Sequence, residues 1–511
     1  VSSLLYKKTL KSTRKMSLAH QVAHNTLIQI IGKIISTILG LFALALITRY
    51  LGQVGFGEYT TINTFLTFFA VIADLGLTLV TVQMISGSPT NENKILNNLF
   101  SLRLVTVLLF IGLAPLIVIF LPYSRTIKTG VLITAVFFIF PALNQVLIGL
   151  FQKRLSMDRA ALSEIASRVV LILGVLTVKK LNAGLTGVLI ATVLSGGASF
   201  LSHYLFALRF AIIKLEFDFK YWKKIISKSW PLAVTIVLNL IYLRADTLVL
   251  SLVRSQAEVG LYGAAYKIID VLTTLPFMFA GLILPILTAA WLEKKSGQFN
   301  IVLQKSFDFM LITAVPLVIG AQFLAKPVMI FIAGADFAAA GLILKMLIFA
   351  VAAIFLGTIF SHAVIAIDCQ RKMIRFYAFT GLSALLGYFL IIPRFSYIGA
   401  ASITIYSEVL IATFSAYCVF RTTLFRPRLK TLWRSLGAGL AMSLFIYFIP
   451  IHYQTSLSGL IVVIIGASIL YFAALFWLKG VSPEDLRSIL KKSSSKNPPL
   501  LPDNRTDITN D

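Results

Sequence analysis

Five cations sit inside long apolar runs of this chain, where a charge is expensive: Lys33, Arg168, Arg244, Lys267 and Lys345. On insertion scales, Lys or Arg at the centre of a membrane helix costs about 2.5–3.5 kcal/mol, so such residues face a polar cavity or a partner. Arg holds a phosphate through two N–H groups at once, and Lys acts on it as a point charge. Acidic residues share the same runs: Asp74, Asp246, Asp270 and Glu408. Lys33, Arg244, Lys267 and Lys345 are therefore candidate ligands of an anionic substrate. Asp74, Asp246, Asp270 and Glu408 are candidate coupling or ion-pair groups. Internal pairing competes with substrate binding: Lys33 with Asp74, Arg244 or Lys267 with Asp246 or Asp270, and Glu164 with Arg168 at i,i+4 spacing. Lys345 has no acidic neighbour on its own helix and either snorkels outward or joins the cavity. Glu408 stands alone in mid-span, as a proton-coupling group or a helix–helix hydrogen bond.

Other chemistry is poorly served. Cys369 and Cys418 offer neither a disulfide framework nor a metal spacing. The five histidines (His20, His24, His203, His362 and His452) are scattered, with no HExxH. No Walker A motif is present, and no Gly-x-Ser-x-Gly on a strand–turn–helix pattern. The expectation is a protein without catalytic residues, metal or cofactor, and not an enzyme. Asn25, Gln29, Asn63, Asn144, Gln145 and Asn239 add polar groups within or at the ends of spans, suited equally to sugar hydroxyls and to helix packing. Pro231, Pro276, Pro285 and Pro316 free backbone carbonyls and fit helices that rock.

The elements that must position these groups are membrane helices. Apolar residues fill 58% of 511 positions, mean hydropathy is +0.89, and there are about fourteen apolar runs of about twenty residues. Each run matches the roughly 20 residues of one helical crossing. The fold class is therefore all-α and polytopic, because in lipid a helix satisfies its own backbone. The net charge of +26 fits basic loops against anionic lipid rather than nucleic acid. A basic leader (1–23, with Lys7, Lys8, Lys11, Arg14 and Lys15) precedes a six-helix bundle (24–208). A linker (209–228) with Tyr221 and Trp222 among basic residues reads as an interfacial amphipathic helix. A second six-helix bundle (229–421), two further helices (422–478) and a polar, disordered tail (479–511) follow. Val1 with Met16 close behind points to an alternative start codon. Most of the 46 basic residues fall on one side if both termini are cytoplasmic, which places the chain in the cytoplasmic membrane. Arg244/Asp246 and Lys267/Asp270 then share a depth of roughly 12–15 Å from the outer face.

Two sequence echoes mark an internal repeat. Gly57-Glu58-Tyr59 matches Gly260-Leu261-Tyr262, and Gly187-Val188-Leu189-Ile190-Ala191-Thr192 matches Gly399-Ala400-Ala401-Ser402-Ile403-Thr404. Both members of each pair fall on the same membrane side, so the halves are parallel, a known transporter plan.

The stretch Thr48-Arg49-Tyr50-Leu51-Gly52-Gln53-Val54-Gly55-Phe56-Gly57-Glu58-Tyr59 resembles the first-loop signature of polysaccharide-unit (O-antigen, Wzx-like) flippases. These form the polysaccharide transporter family of the multidrug/oligosaccharidyl-lipid/polysaccharide (MOP) superfamily. Asp74-Leu75-Gly76-Leu77 resembles their second span. Asp246 with Val259-Gly260-Leu261-Tyr262-Gly263-Ala264-Ala265-Tyr266-Lys267 resembles the seventh and eighth, and Tyr397-Ile398-Gly399-Ala400-Ala401 the start of the twelfth. Gln53-Val54 departs from a pattern that often has Pro followed by Glu or Thr. The resemblance spans roughly residues 20–480. It implies two MATE-like six-helix bundles around a central cavity, plus two C-terminal helices, working by alternating access. The implied cargo is a polyprenyl-diphosphate-linked oligosaccharide, moved to the outer leaflet for O-antigen, capsule or exopolysaccharide assembly. Membrane lipids, an H+ or Na+ coupling ion, and glycan polymerase or assembly proteins are the implied partners. A drug/cation antiporter of the same superfamily should carry an acidic cavity. A lipid II flippase is close in chemistry. A membrane glycan polymerase would need a larger external loop than this chain has.

Overall fold

Apolar runs of this length leave the backbone one economical solution, and the chain adopts it: among the described residues all regular structure is helical. The computed structural model describes residues 18–86, 92–450, 453–454 and 456–480. The charged leader positions, the tail beyond residue 480 and the side chains of Pro231 and Asn239 lie outside the described residues. Among the described residues thirteen α-helices follow in order, beginning with α1 (Leu18–Asp74), α2 (Leu77–Ser86), α3 (Glu92–Val118), α4 (Arg125–Lys153), α5 (Met157–Leu181) and α6 (Gly184–Ala207). After the linker come α7 (Phe219–Val253), α8 (Gln256–Leu292), α9 (Ser296–Ala333), α10 (Ala340–Ala366) and α11 (Gln370–Thr423), then α12 (Lys430–Phe448) and α13 (Leu457–Trp477).

Ten of these helices are long and apolar enough to cross a membrane. Two of the ten are double. α1 breaks at Gly52, whose φ of 64° suits a residue without Cβ, and α11 breaks at Ser396. Counting each as two, and adding α7 and α12, gives the fourteen expected spans, an approximate figure. The breaks repeat. Gly52 corresponds to the Arg254–Ser255 turn, and the Asn182–Ala183 turn to Ser396.

The second span is interrupted where the sequence predicts one run over 59–85. Leu75 and Gly76 both take positive φ, and α2 restarts at Leu77. Arg103 of α3 holds this break. Its guanidinium donates to the carbonyls of Asp74 and Ala142 (3.0 Å each) and to Thr78 Oγ1 (2.7 Å), and it pairs with the Asp74 carboxylate.

The linker also differs from expectation. Residues 211–218 form no helix or strand, and helix begins only at Phe219. Asn97 Oδ1, Ser101 Oγ and Asn98 Oδ1 accept the backbone N–H groups of Lys214, Glu216 and Asp218 at 2.8–3.0 Å. The two Asn amides also donate to the Glu216 carboxylate, and Lys94 pairs with Asp218 at 3.0 Å. Backbone outside a helix must find other acceptors for its N–H groups, and α3 supplies three of them.

α8 through α11 share one core, in which Tyr262, Phe355 and Tyr388 are fully buried. α12 and α13 pack on α9 through Val315, Met442 and Tyr471, and the Tyr471 hydroxyl donates to Ile312 O at 3.0 Å.

Candidate functional site

The two halves meet at the end of the molecule that carries Gly52. There Gly57 of α1 crosses Gly260 of α8. A Cβ on Gly57 would lie 1.7 Å from Gln256 O, and one on Gly260 would lie 2.1 Å from Gln53 O. Gln53 and Gln256 precede their glycines by the same four residues, so the contact is self-complementary, as at a two-fold axis. Hydrogen bonds across the seam reinforce it. Thr61 Oγ1 donates to Gln256 Oε1 (2.8 Å), Arg49 Nη2 to Phe331 O (2.6 Å) and Gln53 Nε2 to Asp336 O (2.5 Å).

Beyond the crossing the halves part around polar cavities. The first, of about 520 Å³, lies mainly between α1, α4, α5 and α6 and reaches Gln152 and Met157 near the opposite end. The second, of about 300 Å³, runs between α1, α5 and α8. Lys33, Glu164, Arg168 and Thr274 line both, so the two adjoin. A third, of about 440 Å³, lies among α7, α8, α10 and α11 and meets the second at Asp270.

Four cations gather along this seam. Lys33 pairs with Glu164 at 3.1 Å. Arg244 Nη2 donates to Asp270 Oδ1 at 2.7 Å and stacks over the Tyr266 ring at 4.7 Å. Lys267 reaches Asp270 Oδ2 at 3.9 Å. Arg168 lines the first two cavities and pairs with no carboxylate among the described residues. Lys33, Arg168, Arg244 and Lys267 thus face three carboxyl groups across the three cavities, Glu164, Asp270 and Glu408. With all three ionised the surplus is one positive charge, and Arg168 is the cation without a carboxylate partner among the described residues.

The predicted residues divide accordingly. Lys33, Arg244, Lys267 and Asp270 come together, and Asp270 takes both cations of its half. Asp74 does not meet Lys33, because Arg103 claims it behind the α1–α2 break. Glu164 does not pair with Arg168, because the tertiary approach of α1 brings Lys33 to it instead. Asp246 is buried away from Arg244 and Lys267. Its carboxylate accepts from Tyr262 (2.6 Å), Thr404 (3.1 Å) and the Thr247 N–H (2.5 Å). Lys345 lines none of the three cavities. Glu408 lines the third, and its Oε1 has no hydrogen-bond partner among the described residues. The i,i+4 spacing of Glu164 and Arg168 suggests a local pair and hides their place in the cavity. Arg103, near the start of an apolar run, carries no sequence signal of its role.

The neutral polar residues sort as well. Asn25 Oδ1 caps α5 by accepting from Met157 N (2.8 Å), and Asn63 donates to Tyr59 O (2.8 Å). These are packing roles. Gln29, Asn144 and Gln145 line the first cavity.

An apolar groove of about 600 Å³ opens from this region between α1 and α8, lined by Ile34, Ile38, Leu275, Leu282 and Phe309. It shares Gln29, Lys33, Thr274 and Met278 with the first cavity. A polar chamber therefore continues directly into an apolar slot.

Several solved structures share this architecture, and their descriptions name a lipid II flippase and MOP superfamily transporters. The chain superposes with TM-score 0.71 on a structure described as the lipid II flippase MurJ in an inward closed conformation, at 18% identity, covering 90% of this chain and 100% of that one. An inward-facing multidrug resistance MATE family transporter of the MOP superfamily gives 0.63 at 13% identity, covering 77% and 97%. A MOP superfamily transporter from Pyrococcus furiosus, described as having a binding pocket of reverse polarity, gives 0.55 at 14% identity, covering 78% and 95%. These likenesses establish the fold. A comparison with curated proteins returned no match. The sequence pattern of one family, described as polysaccharide biosynthesis protein, matches residues 22–291, a little over half of the chain. With the parallel repeat, the two joined bundles and this match together, the chain belongs to the polysaccharide biosynthesis protein family.

Proposed function

We propose that this protein flips polyprenyl-diphosphate-linked oligosaccharide repeat units across the cytoplasmic membrane by alternating access, for O-antigen, capsule or exopolysaccharide assembly. The observation that carries the reading is the cluster of four cations along the seam, with Arg168 unpaired among the described residues, next to an apolar slot. Diphosphate oxygens suit the Arg and Lys groups of this cluster, and a slot between α1 and α8 lets a polyprenyl tail remain in lipid while the head group crosses. Bundles 24–208 and 229–421 are the rocking bodies, with 209–228 as their link and 422–478 as accessory helices. The positive-inside rule puts both termini in the cytoplasm. On that orientation the Gly57–Gly260 crossing seals the outer side, and the chambers serve the cytoplasmic side. An ion gradient or the membrane potential drives the cycle, since moving one charge is worth about 2.3 kcal/mol per 100 mV. Asp246 and Glu408, buried carboxyl groups of the second bundle, are the candidate H+ or Na+ coupling residues. A glycan polymerase on the outer face is the partner such an export step requires.

A drug/cation antiporter fits less well, because its cargo would meet cations. A lipid II flippase shares the diphosphate chemistry, and the family match favours the polysaccharide cargo. The test is the leaflet of the lipid-linked glycan in cells lacking the gene, read with an external lectin or glycosidase. Inside-facing repeat units that accumulate, and clear when the gene is restored, support flipping. Unchanged glycan traffic with altered sensitivity to cationic drugs overturns it for the antiporter.

A further inference from the structure

We infer that the wall of the first cavity formed by α4 and α6 is the sugar-recognition subsite, with Asn144 and His203 as its hydrogen-bond acceptors. The inference rests on the lipid-linked reading above and extends it from the diphosphate to the glycan. The seam is partitioned. Its cations lie where α1, α5, α7 and α8 converge, whereas α4 and α6 contribute no Asp, Glu, Lys or Arg to the first cavity, and their polar groups there are Asn144, Gln145, Gln152, Ser199 and His203. A volume of about 520 Å³ falls within the roughly 300–1,000 Å³ of small-molecule sites. Lys33 and Arg168 border the same space, so a sugar attached to a diphosphate held there projects toward this wall.

Two buried atoms on the wall are unpartnered. Asn144 is 6% exposed and His203 3% exposed, and Asn144 Oδ1 and His203 Nε2 have no hydrogen-bond partner among the described residues. Their remaining groups are anchored on one residue. Asn144 Nδ2 donates to Ser199 Oγ at 3.2 Å, and His203 Nδ1 lies 2.8 Å from Ser199 O. A carbonyl only accepts, so Nδ1 carries the proton and neutral His203 is left with an acceptor at Nε2. Stacking on Phe151 (6.0 Å between centroids, 19° between planes) holds the imidazole ring in place. Buried acceptors without donors are rare in folded proteins. Two on one cavity wall, both held from the same residue, call for a ligand rich in O–H or N–H donors. Hexose hydroxyls and the N–H of an N-acetyl group have that chemistry, and a lipid tail does not.

The test uses the full chain in nanodiscs and four probes: decaprenyl diphosphate, bare or carrying glucose, galactose or N-acetylglucosamine. The unmodified protein should bind at least one sugar-bearing probe about tenfold tighter than the bare diphosphate. Asn144→Leu and His203→Phe should each cut that advantage by about 2- to 10-fold, the weight of one hydrogen bond. Bare-diphosphate affinity in the same samples reports intact folding, and His203→Gln, which keeps an acceptor, should restore much of the advantage. The subsite is refuted if no sugar improves binding to the unmodified protein, or if the substitutions weaken bare and sugar-bearing probes alike. Absence of binding to all four probes, with no change in Arg168→Gln, instead refutes the lipid-linked reading and the subsite with it.

Discussion

Replacing Gly57 by alanine should prevent the Gly52 end from sealing. Carbon and oxygen approach to about 3.3 Å in close helix contacts. A Cβ at residue 57 would sit 1.7 Å from Gln256 O, so the helices must part by about 1.6 Å; for Gly260→Ala, starting from 2.1 Å, the figure is about 1.2 Å. The obstacle in each case is backbone, which no rotamer change relieves. Separation on that scale breaks the Thr61–Gln256, Arg49–Phe331 and Gln53–Asp336 hydrogen bonds across the seam. The last two are exposed and count little, so the three together contribute about 2 kcal/mol. The sealed state should then fall about 30-fold relative to its alternative. Spin labels at Val54 and Ala339, on opposite sides of the seam, read this directly when Cys369 and Cys418 are replaced by alanine. The short-distance population should vanish in Gly57→Ala and persist in Gly112→Ala, where an added Cβ meets nothing within 4 Å. Glycan export should fall with it, while the protein still inserts. A Gly57→Ala protein that keeps the short distance and exports at the unmodified rate would sink the seal.

Other changes test the remaining parts. Arg244→Ala and Lys267→Ala should each block export without blocking insertion, because each removes a partner of Asp270 and a cation of the seam; normal export in both ends the anion-cavity reading. Arg103→Ala should destabilise the first bundle by about 3–5 kcal/mol, the cost of stranding a buried charge, read as a lower unfolding temperature in detergent. Arg103→Lys should rescue little, because one ammonium cannot serve two carbonyls, a hydroxyl and a carboxylate in fixed directions. Asn98→Ala should expose residues 211–218 to protease, since it removes the acceptor for Asp218 N and a donor to Glu216. Asp218 adds a pH dependence. Hydrogen bonding to Lys94, and then to the Tyr221 N–H, holds its carboxyl below the usual range. A depressed folded pKa gives stability that is present above the unfolded value and lost as pH falls through the folded one, so cleavage by an acid protease should rise only below the ordinary Asp range.

Spans are legible in the sequence because the bilayer imposes a length, and repeated apolar runs of about twenty residues match that length far better than any soluble core requires. The repeat is legible for a related reason. Gly57 and Gly260 lie where two backbones cross, and close approach leaves glycine as the residue that fits. Ion pairing is not legible in the same way. Glu164 and Arg168 have the spacing of a helical pair, yet Glu164 goes to Lys33, 131 residues away. An i,i+4 pair is worth only about 0.2–0.5 kcal/mol, so any tertiary cation at better geometry displaces it. Asp74 goes elsewhere than expected because the break after it is set by Arg103, which presents itself in the sequence as one more basic residue at a helix end.

That displacement bears on mechanism. A Glu164–Arg168 pair would have left Lys33 of α1 as the cation without a carboxylate partner in the first bundle's share of the cavity. The observed pairing moves the free charge to Arg168, which lines the second cavity together with Lys267 of the other bundle. Two unlike elements, α5 of one bundle and α8 of the other, then present cations to one space, and their repulsion is relieved only when an anion enters or the bundles part. A diphosphate between them would favour approach of the bundles, and its departure would favour separation. The coupling needs no dedicated sensor, because the cargo's own charge supplies the differential affinity that alternating access requires. Arg168→Gln separates this from simple binding. With one cation gone, the empty protein should close the α5–α8 gap by spin-label distance, as the unmodified protein should do only with decaprenyl diphosphate bound. If the gap is indifferent both to Arg168 and to the diphosphate, charge repulsion is not what holds the bundles apart.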